Sequence, residues 1–432
     1  MTTQRSQFIT LLLMLGLFAG LALTASAQQT KPMINVNQAL SEMKAYYDSQ
    51  EAWPRSHGWK PFKRCEWDLM QRADPNGEIP AGAIWEAYLQ RQRMPHATLD
   101  ETWTPLGPFN HGGRTRVIRF HPVDPTIMFA GSVGGGLFKS VDAGNNWFPI
   151  TDDLPNLAVG SFEIHPECPD TMFLGTGEGY LNIDAVKGIG LLRSIDGGQT
   201  WQMTGMNYVY SAGRSIFTID LDPRNPNIVL ASNTTGLYKS IDAGETFTIV
   251  RAGNVNELQR DPQNPDVLLC SAANSFGGSG GSVYRSTDNG DNWTAVNDGL
   301  PDPTTIGRVV LTFYPGNSQI VYAGISGTNN YNGNQMIGIY RSVDNGQNWV
   351  QMSSGGENHY ASQGWYDMAI AVKPNNSSVI YSSGLDLYRS WNSGMFWDQQ
   401  THWEYPFGHP DFVHADHHEI VFHPDNPDEV WA

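Results

Sequence analysis

Most of the chain alternates short apolar, β-rich runs with polar turns, the pattern of strands and not the 3.6-residue period of helices. One pairing recurs. A β-rich run ends in His, Asp, Tyr or Lys followed by Pro, a polar turn comes next, and a second apolar run follows. Copies are Val117–Pro122 with Ile127–Gly131, Ile219–Pro223 with Ile228–Ala231, Leu311–Pro315 with Ile320–Gly324, and Ile370–Pro374 with Val379–Tyr381. Each predicts two antiparallel strands joined by a Pro turn.

Downstream of each pair lies a tighter signature, Ser-x-Asp-x-Gly-x-x-Trp/Phe. Its aspartates are Asp142, Asp196, Asp242, Asp288 and Asp344, with Asn392 in a worn sixth copy. Successive positions lie 54, 46, 46, 56 and 48 residues apart. A turn repeated at that period, with strands on both sides, predicts propeller blades of four strands, A to D. The carboxylate is expected to accept bonds from N–H groups two and three residues on, and the glycine to take a positive φ. These aspartates are therefore structural. The predicted fold is an all-β Asp-box β-propeller of six full blades plus a partial seventh, an incomplete ring, with a short N-terminal helical extension.

The seventh copy begins at Ile420–Pro424 and reaches Val430–Ala432, so the chain is expected to be an N-terminal fragment. Thr102–Leu106 resembles a strand D with no preceding turn, which would close the ring. Residues 28–100 differ: Val36–Tyr47 and Ile84–Arg93 carry helical spacing around a basic, aromatic stretch, His57–Arg64. Residues 1–27 read as a cleaved signal peptide, with an apolar run Phe8–Leu23 and the small-residue site Ala25-Ser26-Ala27. Three domains follow: 1–27 leader, 28–100 helical extension, 101–432 propeller. The expected localisation is secreted or outer cell surface.

The net charge of −17 disfavours nucleic acid and anionic membranes as partners. No stretch beyond the leader is apolar enough to span a bilayer, and the sequence leaves the oligomeric state open. Cys65, Cys168 and Cys270 form no disulfide framework, and Cys270 sits in an apolar run as a buried hydrophobe.

The repeats, with Trp103–Pro108, Gly112-Gly-Arg114, Ala130–Ser140, Gly58–Arg64 and Val413–His418, resemble the secreted sortilin-like BNR propellers common in Bacteroidetes-type bacteria. That resemblance implies a longer protein with a C-terminal sorting domain for type-nine secretion and no established activity.

The loops between strands B and C and between blades share one face of a propeller, opposite the Asp-box turns. Ligand-binding candidates on that face are Arg114, Tyr180, Arg214, Arg308, Tyr331, His359, Trp365 and Trp403, residue types suited to a peptide or a glycan. The expected function is a recognition or scaffold propeller binding an extracellular peptide or glycan, without catalysis. The alternative is a glycoside hydrolase, xyloglucanase- or sialidase-like, with channel carboxylates Asp367, Asp416, Glu178 and Asp184 as candidates. A sialidase-like site would need a Tyr nucleophile partnered by a Glu, and that family's Phe/Tyr-Arg-Ile-Pro signature is absent. Xyloglucan-cleaving propellers carry a catalytic Asp in an early Arg-Thr-Asp-x-Gly-Gly segment; Val133 occupies that place here. No cofactor is expected, although His414, Asp416 and His418 at i, i+2 and i+4 would share one strand face and could ligate a divalent metal.

Overall fold

The computed structural model describes residues 35–49, 59–94, 113–180, 185–210, 213–273, 279–328, 333, 335–354 and 358–432. The leader, the Thr102–Leu106 strand, Asp184 and Tyr331 lie outside them. The chain divides into two compact units, one of residues 1–96 with 207–214, the other of residues 97–206 with 215–432.

The smaller unit holds three helices, Val36–Asp48, Trp59–Met70 and Ala83–Arg93. The sequence predicts the first and third. The second falls on the stretch that stands out in sequence only as basic and aromatic; Pro61 lies in its first turn, where proline costs no hydrogen bond. Asn35 caps the first helix by accepting from Gln38 N at 3.1 Å, and Val36, Leu40, Phe62, Leu69, Ile79 and Trp85 are buried. Segment 207–214 belongs to this unit: Tyr210 donates to Asp68 Oδ1 at 3.5 Å, and Arg72 stacks over its ring.

The larger unit is the propeller. Six antiparallel sheets of four strands follow in chain order, from Thr115–Phe120 at the start of blade 1 to Asp398–Gln399 at the end of blade 6. A two-stranded seventh sheet, Val421–His423 with Asn426–Trp431, follows. In every full blade the strands pair in sequence order. The first strands of blades 1 to 6 contact one another in turn, and the seventh touches blade 1, so first strands line the axis. The half-blade packs on both neighbours. Ile420, Phe422 and Val430 meet Ala369, Ala371 and Tyr381 of blade 6, while Trp431 stacks edge-on against Phe120 of blade 1.

Two polar devices explain the repeat. Where His or Asp precedes the Pro, its side chain supplies an acceptor for the turn it opens. His165 Nδ1 accepts from Glu167 N and Cys168 N at 3.2 and 3.0 Å; Asp261 Oδ1 does the same for Gln263 N and Asn264 N at 2.8 and 3.0 Å. His and Asp interchange here because both present an acceptor at the same reach.

The Ser-x-Asp-x-Gly turn works one residue further on than the spacing suggests. Asp142 Oδ1 accepts from the N–H of Asn146, four residues on, at 2.8 Å, and from Ser140 Oγ at 2.9 Å. The N–H two residues on goes instead to Ser140 Oγ, while the bond from three residues on forms at Asp344, where Gln347 N donates to Oδ1 at 3.1 Å. Both Ala143 and Gly144 have positive φ, 55° and 80°. Each turn also donates a backbone bond to the A–B turn of its own blade, as Ala243 N does to Asn227 O at 2.9 Å. A strand-C cation then reaches the next blade's turn: Arg193 bonds Ala243 O at 2.7 Å, and Lys239 bonds Asn289 O at 2.8 Å.

Asp242 makes three such bonds, from Thr246 N, Thr246 Oγ1 and Ser240 Oγ, at 2.9, 2.6 and 2.7 Å. The Thr246 bonds hold its carboxyl down at about 2. Asp242→Ala is expected to cost about 1 kcal/mol, read from the urea midpoint. A depressed carboxyl pKa contributes stability above its unfolded value that is lost as pH falls toward 2. The gap between wild type and variant should therefore shrink on acidification.

Candidate functional site

The blade face where first strands begin and second strands end brings residues far apart in sequence to the axis. A shared irregularity helps. In blades 1, 2, 4 and 5 the pairing of first and second strands shifts register at its rim end, between Thr115 and Val117, Val159 and Ser161, Val255 and Glu257, and Ile306 and Arg308. Such bulges re-aim side chains. The residue inside the shift is Gly160 in blade 2 and Gly307 in blade 5, where a Cβ would lie 2.2 and 2.3 Å from the carbonyl oxygens of Gly177 and Gly327. In blade 1 it is Arg116.

Around Arg116 stands a cluster drawn from five blades. Arg114 bonds both Glu178 Oε1 and the Tyr366 hydroxyl. Tyr366 donates to the same Glu178 oxygen at 2.7 Å. Arg308 donates to the Tyr366 carbonyl and the Tyr180 hydroxyl, both at 2.8 Å. Arg116 lies over the Tyr180 ring at 4.6 Å and the Tyr366 ring at 5.6 Å. Its Nη1 is 2.8 Å from His418 Nδ1. Tyr180 holds this position with φ 65°, stacked on Phe217 at 5.5 Å.

The electrostatics follow from burial. Burial, and then the charges of Arg116, Arg308 and Arg114, hold His418 well below the usual imidazole range. The ring is neutral, so Nδ1 accepts from Arg116 and Nε2 carries the proton. Burial first, and then Arg308, lower the Arg116 guanidinium. Burial pushes the Tyr366 hydroxyl up to about 12. Asp367 is fully buried, and neither of its carboxyl oxygens has a hydrogen-bond partner. Burial, with the neighbouring charge of Asp416 second, lifts it to about 8. Asp416 accepts from Gln363 Nε2 at 3.4 Å. Deeper in the channel, Arg119 bridges Glu163 and Glu419, and burial raises Glu257 to about 7.

Of the residues singled out from sequence, Arg114, Tyr180, Arg308, Glu178, Asp367, Asp416 and His418 enter this cluster or border it. Trp365 packs on Tyr366 with ring centroids 5.2 Å apart. The others do not. His359 is buried between Tyr388 and Trp397, at 4.1 and 4.7 Å, and burial drives it down to about 3; it is a packed interior ring and no ligand contact. Arg214 belongs to the helical unit, over Tyr208. Trp403 is 48% exposed on a loop tied by its N–H to Asp386 at 2.9 Å.

The three-ligand strand face is also corrected. Residues 412–420 form no strand, and Asp416 takes a left-handed φ of 73°, which ends the alternation. His414 is exposed and His418 faces a guanidinium. Among the described residues no group of three or more His, Cys, Asp or Glu is placed to hold a metal. Val133, where a catalytic Asp would stand, is buried, its N–H bonded to Arg114 O at 2.9 Å.

Arg116 and Tyr366 are the members that sequence reasoning missed. An Arg where blades 2 and 5 carry glycine and blade 4 carries Asn256 becomes a signal only once the bulges are aligned. The Tyr–Glu contact that a sialidase-like site would need is present, as Tyr366 with Glu178.

No family model matches the chain. The xyloglucanase of Hypocrea jecorina (strain QM6a) is 25% identical over 349 residues, covering 71% of this chain and 41% of that protein. A xyloglucanase of a Paenibacillus species is 29% identical over 227 residues, 45% of this chain and 22% of that protein. Among solved structures, the GH74 enzyme of Niastella koreensis superposes with a TM-score of 0.52 at 17% identity, over 74% of this chain and 50% of its own; that likeness speaks to fold alone. This is a six-bladed β-propeller with xyloglucanase-like neighbours, spanning less than half the length of these two curated relatives. The relatives overturn the expectation of a recognition or scaffold propeller without catalysis, since both carry the name of a glycan-cleaving enzyme.

Proposed function

We propose that this chain carries glycoside hydrolase chemistry, with Asp367 as proton donor and Asp416 as the partnering carboxylate. The observation that carries the reading is the pair itself. A buried carboxyl is kept protonated at neutral pH by its surroundings and by a second carboxylate at the channel mouth. A carboxyl pushed up by burial beside a second carboxylate is the arrangement that general acid chemistry at a glycosidic bond calls for. The two residues come from blade 6 and the half-blade, so the role that Val133 cannot fill is supplied from elsewhere on the ring. The substrate class that the relatives' names suggest is a xyloglucan-type glycan.

The Ser-x-Asp-x-Gly turns support an Asp-box propeller of the kind shared by sortilin-like BNR proteins and propeller hydrolases. The apolar leader supports export from the cell. Among the described residues no helix is long and apolar enough to cross a membrane.

The test is release of reducing ends from xyloglucan by the purified chain, beside its Asp367→Asn and Asp416→Asn variants. Activity lost in both while both still melt cooperatively supports the reading. A folded chain that releases no reducing ends, or an Asp367→Asn variant as active as the wild type, ends it.

A further inference from the structure

Asp367 and Asp416 ride on different loops. The first belongs to residues 358–367, just before the opening strand of blade 6 at Ala369–Val372, and the second to residues 400–420, just before Val421–His423. Both loops lean on Gly384, between the second and third strands of blade 6. Its carbonyl accepts from His417 N at 2.8 Å, and a Cβ on it would lie 2.4 Å from the His359 carbonyl oxygen. Asp416 keeps a left-handed φ of 73°, a state that a non-glycine residue holds only where its surroundings enforce it.

One residue spans the two loops. The Gln363 carbonyl accepts from Tyr366 N at 2.6 Å and from Asp367 N at 3.1 Å, which makes the turn that ends in Asp367. The Gln363 side-chain amide donates to Asp416 Oδ1 at 3.4 Å. Among the described residues no other group donates to that carboxylate. The charges that face Asp367 are Asp416, Arg308 and Arg116, and Arg114 and His417 lie near Asp416. None of them bonds either carboxyl.

We propose that Gln363 is a positioning residue, tying the Asp416 carboxylate to the turn that carries Asp367 and so fixing the spacing and orientation of the pair. The inference rests on the hydrolase reading and adds to it a residue that acts through the two carboxyls. Carboxyl spacing decides what a glycosidic site can do, and small displacements of reacting groups are costly. A neutral donor suits the place. A cation there would draw the proton off Asp367, and a carboxylate would crowd a third acid onto the pair.

The test is Gln363→Met in the full chain, which keeps the side chain's length and removes the donor. The turn is made by the backbone carbonyl, which the variant retains. Carboxyl NMR of aspartate-labelled protein reads both titrations directly. Losing the N–H should move the Asp416 titration up by about one pH unit. On xyloglucan, kcat should fall about tenfold with KM near wild type, and the acid limb of the pH–rate profile should move up with Asp416. Gln363→Glu, close in shape, is the second variant: its added negative charge should raise Asp416 and Asp367 alike.

Titrations unchanged in both variants, in proteins that melt normally, overturn the proposal. So does a lowered melting temperature with kcat, KM and pH profile unmoved, the mark of a merely structural amide. The two readings fail separately. A chain that cleaves no glycan, but whose Asp416 titration moves in Gln363→Met, ends the hydrolase reading and leaves the tether. An active chain whose titrations and pH profile ignore the substitution does the reverse.

Discussion

Asp367→Asn is expected to lower turnover by about 10²–10⁴-fold and, at the same time, to make the protein more stable at pH 8. The two effects share a cause. Asp367 is fully buried with no hydrogen bond to either oxygen, and its carboxyl is lifted from 3.8 to about 8. The native state therefore holds a proton that the unfolded chain has released. Stability is fullest below pH 4, falls as pH rises from 4 to 8, and levels off above. The whole span corresponds to about 6 kcal/mol at 1.36 kcal/mol per pH unit. An amide never ionises, so the variant lacks this fall. Thermal melts at pH 5, 7 and 9 should show the variant gaining on the wild type up to pH 8 and no further. The wild-type rate should decline through the same range as the proton is lost. A melting difference independent of pH would mean that Asp367 is ionised in the native state, and would remove it as proton donor.

Phe129→Ala is expected to cost about 3–5 kcal/mol, the largest loss from a single side chain outside the site. Phe129 stands on the second strand of blade 1, fully buried, with its ring 5.3 Å from Phe162 on the first strand of blade 2. Truncation opens a cavity between two blades whose backbones are held by their own ladders and turns, so collapse around it is limited. The midpoint of urea unfolding should fall with little change in slope. The affinity of the Asp367→Asn background for a glycan should be unchanged, because Phe129 belongs to the blade interior. A loss below 1 kcal/mol would mean that the blades slide to close the gap.

The repeat made the architecture readable from the chain. Ser-x-Asp-x-Gly-x-x-Trp and the His/Asp-Pro step are local devices, each complete within a few residues, and their bonds form between neighbours in sequence. Asp142 with Asn146 and His165 with Cys168 are examples. Blade number, strand order and the face that carries the loops follow from counting them. The helix at Trp59–Met70 escaped because its first turn contains a proline whose position in a helix cannot be read until the helix is known.

The site is of another kind. Arg114 meets Tyr366 across 252 positions of sequence, and Arg308 meets Tyr180 across 128. Nothing local marks those pairs. Composition and loop position brought seven of the cluster's residues forward but also nominated His359, which closure of blade 6 buries among aromatic rings. The exposure of a loop residue is decided by how blades wedge together, and so is the charge state of Asp367. Its lift arises from desolvation by the ring and from Asp416 on the half-blade. Short-range turn chemistry, repeated six times, thus determined the propeller from sequence alone. Closing the ring decided which side chains share the axis and which charges lose water.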